Sequence, residues 1–383
     1  MPVEEAIASL EEILDETIQH QRIADVPLGV FLSGGVDSPL VSAIARQQVG
    51  PGLKAYTISI PGWWQDEADD AQSYAQHLGL DHRVFEFSGE DVVNMVDAVI
   101  QAQHEPFGDY SILPTLLVSK VARPEITVAL SGDGGDELFF GYERPLSLLR
   151  NGKDFGWPWL VRLGLYGAGK YGLIKKKSDV IVSRTPGDYY FGVNSRFPDT
   201  ALSHIAPGLN AVPKDFHLYA FDHYKDELDL ANYSRYVEFY GQLQRGLKKV
   251  DMASSQVSLE VRVPLLDRRI IDLSLKINPF DMMKGEQRKW VLRKLLAKHV
   301  PAESIPASKR GFAIPLGDWL RGPLRSRVEE TLFEQPLYPQ GFFDKTALSS
   351  YWQEHLSGAK DHKWGVWTLL SLQWWAQCHL RAH

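Results

Sequence analysis

A short apolar run, Val26-Pro27-Leu28-Gly29-Val30-Phe31, leads into Leu32-Ser33-Gly34-Gly35-Val36-Asp37-Ser38 and then into a helical pattern. Two adjacent glycines between a strand and a helix read as a tight turn. Such a turn aims backbone N–H groups at the space above the helix N-terminus, a geometry that suits an anion. Asp37 is the odd member, because a carboxylate repels phosphate. It fits if a cation such as Mg²⁺ stands between the two. The segment predicts a magnesium nucleotide or pyrophosphate site. It is not a Walker A loop, which needs a lysine and a Ser/Thr after the last glycine.

The pattern around this turn fixes the fold class. An amphipathic helix is expected over 4–20, with Ala6, Ile7, Leu10, Ile13, Leu14 and Ile18 on one side. Strands are expected at 28–32, 55–60, 83–87 and 126–130. Helices are expected at 39–48, 67–78, 91–103 and 113–122, with Pro39 as a first helical residue whose missing N–H costs nothing. Strands alternating with helices imply an α/β fold: a parallel sheet with helices on both faces. This core spans 1–145. A loop-rich and helical segment, 146–240, follows, and 241–383 reads as mainly helical.

Hydrophobic residues make up 44% and charged residues 23% of the 383, which suffices for a large buried core. A net charge of −7 leaves no basic footprint, so a nucleic-acid partner is not expected. No apolar run approaches membrane-spanning length, so no membrane partner is expected either. Cys378, the sole cysteine, excludes a disulfide framework and a cysteine-rich zinc site, and fits a cytoplasmic protein.

A second turn, Ser131-Gly132-Asp133-Gly134-Gly135-Asp136-Glu137, also follows a strand. Three carboxylates this close need a cation, a basic group or protonation to relieve them. In a parallel sheet both turns leave carboxyl ends of strands and can open on one crevice. Asp37 and Asp136 could then share Mg²⁺, with Asp133 facing an acceptor.

The first turn resembles the pyrophosphate loop of N-type ATP pyrophosphatases. The second, with Leu138-Phe139-Phe140-Gly141-Tyr142, is similar to the synthetase domain of asparagine synthetases. Further matches are Asp66-Glu67-Ala68-Asp69-Asp70-Ala71, Glu105-Pro106-Phe107, Lys249-Val250-Asp251, the segment Ser258 to Asp267, and Lys309-Arg310-Gly311-Phe312. The resemblance implies an adenine nucleotide alpha hydrolase-like core. It also implies a ligase that adenylates a carboxylate with ATP and Mg²⁺, releases pyrophosphate and passes ammonia or an amine to the acyl group. Ser33, Gly34, Gly35, Asp37 and Ser38 would hold pyrophosphate and metal. Leu32, Ile58, Ser131 and Gly132 would contact the adenosine. Asp136 would be the second metal-linked acid, and Lys309 would stabilise charge on phosphate and intermediate.

Departures from the family pattern keep the acceptor open. Glutamine-dependent relatives carry a nucleophilic cysteine after the initiator Met, where this chain has Pro2. Hydrolysis of glutamine by that route is not expected of this chain alone, which leaves an excised synthetase part, or free ammonia, a separate glutaminase or another amine as the donor. Many relatives carry Pro-Asp-Asp where this chain has Leu243-Gln244-Arg245. Arg245 reverses the sign there, so a small-molecule or peptide carboxylate other than aspartate stays open, as in β-lactam synthetases or lasso-peptide cyclases. A noncatalytic nucleotide-binding subunit is the reading from another class. Glu260, Arg262 and Asp267 read as an ion pair and a helix cap, and the eleven tryptophans as core or subunit contacts, which allows a homodimer.

Overall fold

A computed structural model of the chain describes residues 1–170, 183–195, 197, 199–209, 217–285, 287–307 and 313–380. The first part alternates as α1 (Val3–Gln21), β1 (Leu28–Phe31), α2 (Asp37–Val49), β2 (Lys54–Ser59), α3 (Ala68–Leu78), β3 (Asp81–Glu86), α4 (Gly89–Ala102), α5 (Ile112–Ala122) and β4 (Val128–Leu130). Helix α2 starts two residues before its expected start. Pro39 is therefore its third residue, yet the N–H groups of the first turn have no partner within the helix, so no bond is lost. The first such bond here runs from the Leu40 N–H to the Val36 carbonyl, at 3.1 Å.

Helices α6 (Gly135–Leu138), α7 (Glu143–Gly152), α8 (Trp159–Lys170), α9 (Pro186–Asn194), α10 (Asp199–Ile205), α11 (Glu227–Val237) and α12 (Gln244–Ser255) follow, then β5 (Glu260–Arg262), α13 (Arg268–Lys276) and α14 (Trp290–Leu296). A π-helical turn, Glu238–Leu243, joins α11 to α12 without a break. Leu243 keeps its backbone N–H, and nothing in the backbone interrupts this run.

The five strands form one parallel sheet in the order β3-β2-β1-β4-β5. Val30 stands opposite Ala55 on one side and Leu130 on the other. Successive side chains of a strand point to opposite faces, and the burial follows that rule. Val30, Ala55 and Leu130 join one apolar cluster with α1, α2 and α14. Phe31, Tyr56 and Ala129 join another, with Val118 and Ala122 of α5. Helices therefore cover both faces, as expected. Strand β5 escapes the sequence pattern: it has three residues, exposed or half-buried, inside a stretch that reads as helical. Within it Arg262 Nε donates to Glu260 Oε1 at 2.7 Å, and Asp267 caps α13 through the Arg269 N–H.

The C-terminal helices, Lys345–Leu356 and Lys363–His379, bury Trp352, Trp367 and Trp374 in a third cluster with α4 and α5. The middle segment is tied down by a buried ion pair. Arg144 Nη2 of α7 lies 2.6 Å from Glu238 Oε2, and the Tyr190 hydroxyl of α9 donates to Glu238 Oε1 at 2.5 Å. No helix among the described residues is long and apolar enough to cross a membrane.

Candidate active site

In parallel α/β sheets, binding crevices open where strand order reverses, outside the carboxyl ends of the strands. Here the reversal falls between β1 and β4, and the two glycine-bearing turns leave those two strands. The first turn is braced by its own serines. Ser38 Oγ accepts from the Ser33 N–H and lies 2.9 Å from Ser33 Oγ, while the Gly35 N–H donates to Ser33 Oγ at 3.2 Å. This holds the N-terminus of α2, with its unspent N–H groups, toward the crevice.

The second turn lies directly against the first. A Cβ on Gly132 would overlap the backbone of Asp37 and Ser38, and one on Gly135 would strike the Asp37 carboxylate. These glycines permit close approach of one loop to the other. Gly132→Ala should therefore push the loops apart, costing about 1–3 kcal/mol. Gly156→Ala is the control, because a Cβ there meets nothing within 4 Å. Thermal unfolding checks both variants; equal stability of the two would contradict the packing argument.

A cavity sits where the turns meet. Leu32, Ser33, Gly35, Asp37, Ser38 and Ile58 form one part of its wall. Ser131, Gly132, Asp133 and Asp136 form another. Gly34 faces away, and a Cβ there would lie 2.6 Å from Asp70 Cβ in the acid-rich segment that opens α3. Asp133 Oδ2 accepts from the Ser131 hydroxyl at 2.8 Å. Lys309 lies outside the described residues. The expected meeting of Asp37, Asp133 and Asp136 at one crevice is thus what the fold produces.

The residue that sequence reasoning missed is Lys289. Its ammonium reaches between the two turns, donating to Asp37 Oδ2 and lying 2.6 Å from Asp136 Oδ1. Burial alone would push this ammonium down, but the carboxylates of Asp136 and Asp37 outweigh it and hold its pKa up at about 12. Lys289 has a φ of +56°, in the left-handed region that non-glycine residues rarely adopt, just before α14. Gly141 makes room for it: a Cβ there would overlap both Lys289 Cε and Asp136 Oδ1.

Lys249, Arg288 and Arg293 add positive charge to the same wall. Arg293 holds its place by donating to the Arg288 carbonyl at 2.8 Å and the Pro306 carbonyl at 2.6 Å. On the acidic side, the Tyr142 hydroxyl donates to Glu137 Oε1 at 2.7 Å; burial first, then the Glu137 and Asp136 carboxylates, push the phenol well above its usual value. The only local signal for Lys289 is a basic stretch, Lys284 to Lys294, which by itself reads as a solvated face.

Two carboxylates that converge on one buried cation suit Mg²⁺, which takes one or two carboxylates and fills its other positions with phosphate oxygens and water. Asp37 and Asp136 meet that description. The arrangement joins a helix N-terminus, two acids bridged by the Lys289 ammonium, and four basic side chains around one cavity. It can bind a nucleotide triphosphate tail and stabilise pyrophosphate as it leaves.

The family profile described as asparagine synthase matches residues 9–377. The chain is 29% identical over 374 residues to asparagine synthetase [glutamine-hydrolyzing] 1 of Bacillus subtilis, a match that covers 95% of this chain and 58% of the relative. Asparagine synthetase B [glutamine-hydrolyzing] of Escherichia coli is 25% identical over 366 residues, covering 89% and 51% respectively. Amidase chyE of Penicillium rubens is 23% identical over 389 residues, covering 90% and 57%. The chain spans between half and three-fifths of the length of these relatives.

Proposed function

The chain belongs to the asparagine synthase family, and on that premise we propose that it is an ATP-dependent carbon–nitrogen ligase that forms AMP and pyrophosphate. The observation that carries this reading is the buried Lys289 ammonium held by Asp37 and Asp136 beside the N-terminus of α2. In this reading the N–H groups and hydroxyls of residues 33–38 bind the β- and γ-phosphates. Leu32, Ile58, Ser131 and Gly132, at the strand ends, flank the adenosine. Asp37 and Asp136 would hold Mg²⁺, which when bound neutralises charge on the phosphates. Lys289, Arg288 and Arg293 oppose the charge that grows on pyrophosphate as the acceptor carboxylate attacks the α-phosphorus. Asp133 lies on the acceptor side of the second turn. Lys309 is assigned its charge-stabilising role from the family motif alone.

The second half-reaction passes ammonia or an amine to the acyl-adenylate, with AMP leaving. A separate glutaminase could supply the ammonia. The protein is read as cytoplasmic, with a homodimer allowed by the exposed Trp64 and Trp157. The test is ATP–pyrophosphate exchange across a panel of carboxylates, followed by product analysis with ammonium, amines or glutamine. Carboxylate-dependent exchange, and amide formed with ammonium or an amine, are the expected results. Nucleotide binding without exchange for any carboxylate would replace this reading with that of a binding subunit.

A further inference from the structure

A second cavity, of about 990 Å³, lies beside the first. Its volume is at the upper end of the roughly 300–1,000 Å³ that holds drug-sized ligands. Phe107, Phe191, Phe197, Leu202, Phe342 and Phe343 supply most of its apolar wall. Phe107 belongs to the Glu105-Pro106-Phe107 motif, to which the nucleotide site gives no role. Its carbonyl accepts from the Ser371 hydroxyl at 2.6 Å, and that hydroxyl also lies 2.9 Å from Gln103 Oε1, so this wall is fixed in place.

Helix α12 is shared by the two cavities. Lys249 lines the nucleotide cavity, while Arg245 and Lys248 line the second. Arg245 and Lys249 are four residues apart, one helical turn, so their Cβ atoms lie about 5–6 Å apart on α12. Asp109 stands between them. Burial would raise its carboxyl, but Arg245 and Lys249 outweigh that and keep it below its usual value. Arg245 Nε lies 3.2 Å from Asp109, and Lys248 Nζ lies 2.7 Å from Glu105. Both basic side chains and two of the three acidic ones on this wall are therefore neutralised in pairs. The charge reversal at Arg245 is answered by Asp109, and the cavity behind it is built for apolar bulk.

We propose that the second cavity holds an aromatic or long aliphatic substituent of the carboxylate acceptor, whose carboxylate reaches past Lys249 to the nucleotide. A small amino acid such as aspartate would leave this space unfilled. The inference rests on the ligase reading for the carboxylate's fate, and on the cavity alone for the bulky group.

The experiment compares aspartate, acetate, phenylacetate and decanoate in ATP–pyrophosphate exchange, with wild type and Leu202→Trp. The expected kcat/KM is at least tenfold higher for phenylacetate or decanoate than for aspartate. Leu202→Trp, which fills the cavity, should raise KM for the favoured bulky acid at least tenfold and move KM for ATP less than twofold. Preference for aspartate, or an unchanged KM for the bulky acid, would overturn the proposal. If no carboxylate supports exchange, the ligase reading falls, and direct binding decides the cavity. Saturable binding of decanoate or phenylacetate, followed by tryptophan fluorescence and lost in Leu202→Trp, would keep the site; absence of binding would remove it.

Discussion

Lys289→Met should destabilise the fold by about 3–5 kcal/mol and remove ATP–pyrophosphate exchange. The side chain it replaces is 6% exposed and is a counter-charge to two carboxylates that are themselves 12% and 13% exposed. Methionine has a similar length and no charge, so the change leaves the cavity filled but the acids opposed. Like charges in a site of low dielectric repel strongly unless one is protonated. Urea unfolding and exchange, measured on the same preparation, check both halves. Wild-type stability together with wild-type exchange would rule out the central place given to Lys289.

The pH dependence has a definite sign. The folded-state pKa of Lys289, about 12, lies above the usual lysine value of about 10.4. Its contribution is fully present below the unfolded-state pKa and is lost as pH rises through the folded one. Stability of the wild type should therefore fall across that alkaline window, and Lys289→Met should lack this component of the fall.

The second large effect is expected from Asp37→Asn. Asparagine keeps the shape of the side chain and can still accept from Lys289, so the fold should survive far better than in Lys289→Met. What it loses is half of the acidic pair proposed for Mg²⁺. Exchange should drop by about 10²–10³, the scale seen when one preorganised electrostatic group is removed from a site. Raising Mg²⁺ should recover only part of it. Thermal unfolding confirms the fold, and exchange titrated with Mg²⁺ gives the activity. Normal exchange at the usual Mg²⁺ level would reject the assignment of Asp37.

What could be read from the chain, and what could not, divides by distance along it. The turns at 33–38 and 131–137 each carry their meaning locally: glycines, acids and serines between an apolar strand and a helix. Their convergence follows from parallel-sheet topology, which brings Asp37 and Asp136 to one crevice. Lys289 has no such signature. It sits 252 residues from Asp37, and its role arises only because the segment before α14 packs onto α2. Strand β5 was hidden for a related reason, since three residues carry too little pattern to compete with the helices around them. Pro39 marks the start of α2, but the helix begins two residues earlier, at Asp37. At Arg245 the sequence revealed the reversed charge, but Asp109, 136 residues earlier in the chain, decides what that charge does.

The reach of Lys289 also bears on how the protein is made. During synthesis, both glycine-bearing turns leave the ribosome well before residue 289 exists. At roughly 5–20 residues per second, that interval lasts on the order of ten seconds. Throughout it the nascent chain carries Asp37 and Asp136 without the ammonium that later holds them together. The N-terminal sheet also lacks β5 for most of that time. Nucleotide-binding competence should therefore arrive late and abruptly, which makes retention on immobilised ATP a sensor for ribosome-bound chains that have completed their long-range closure.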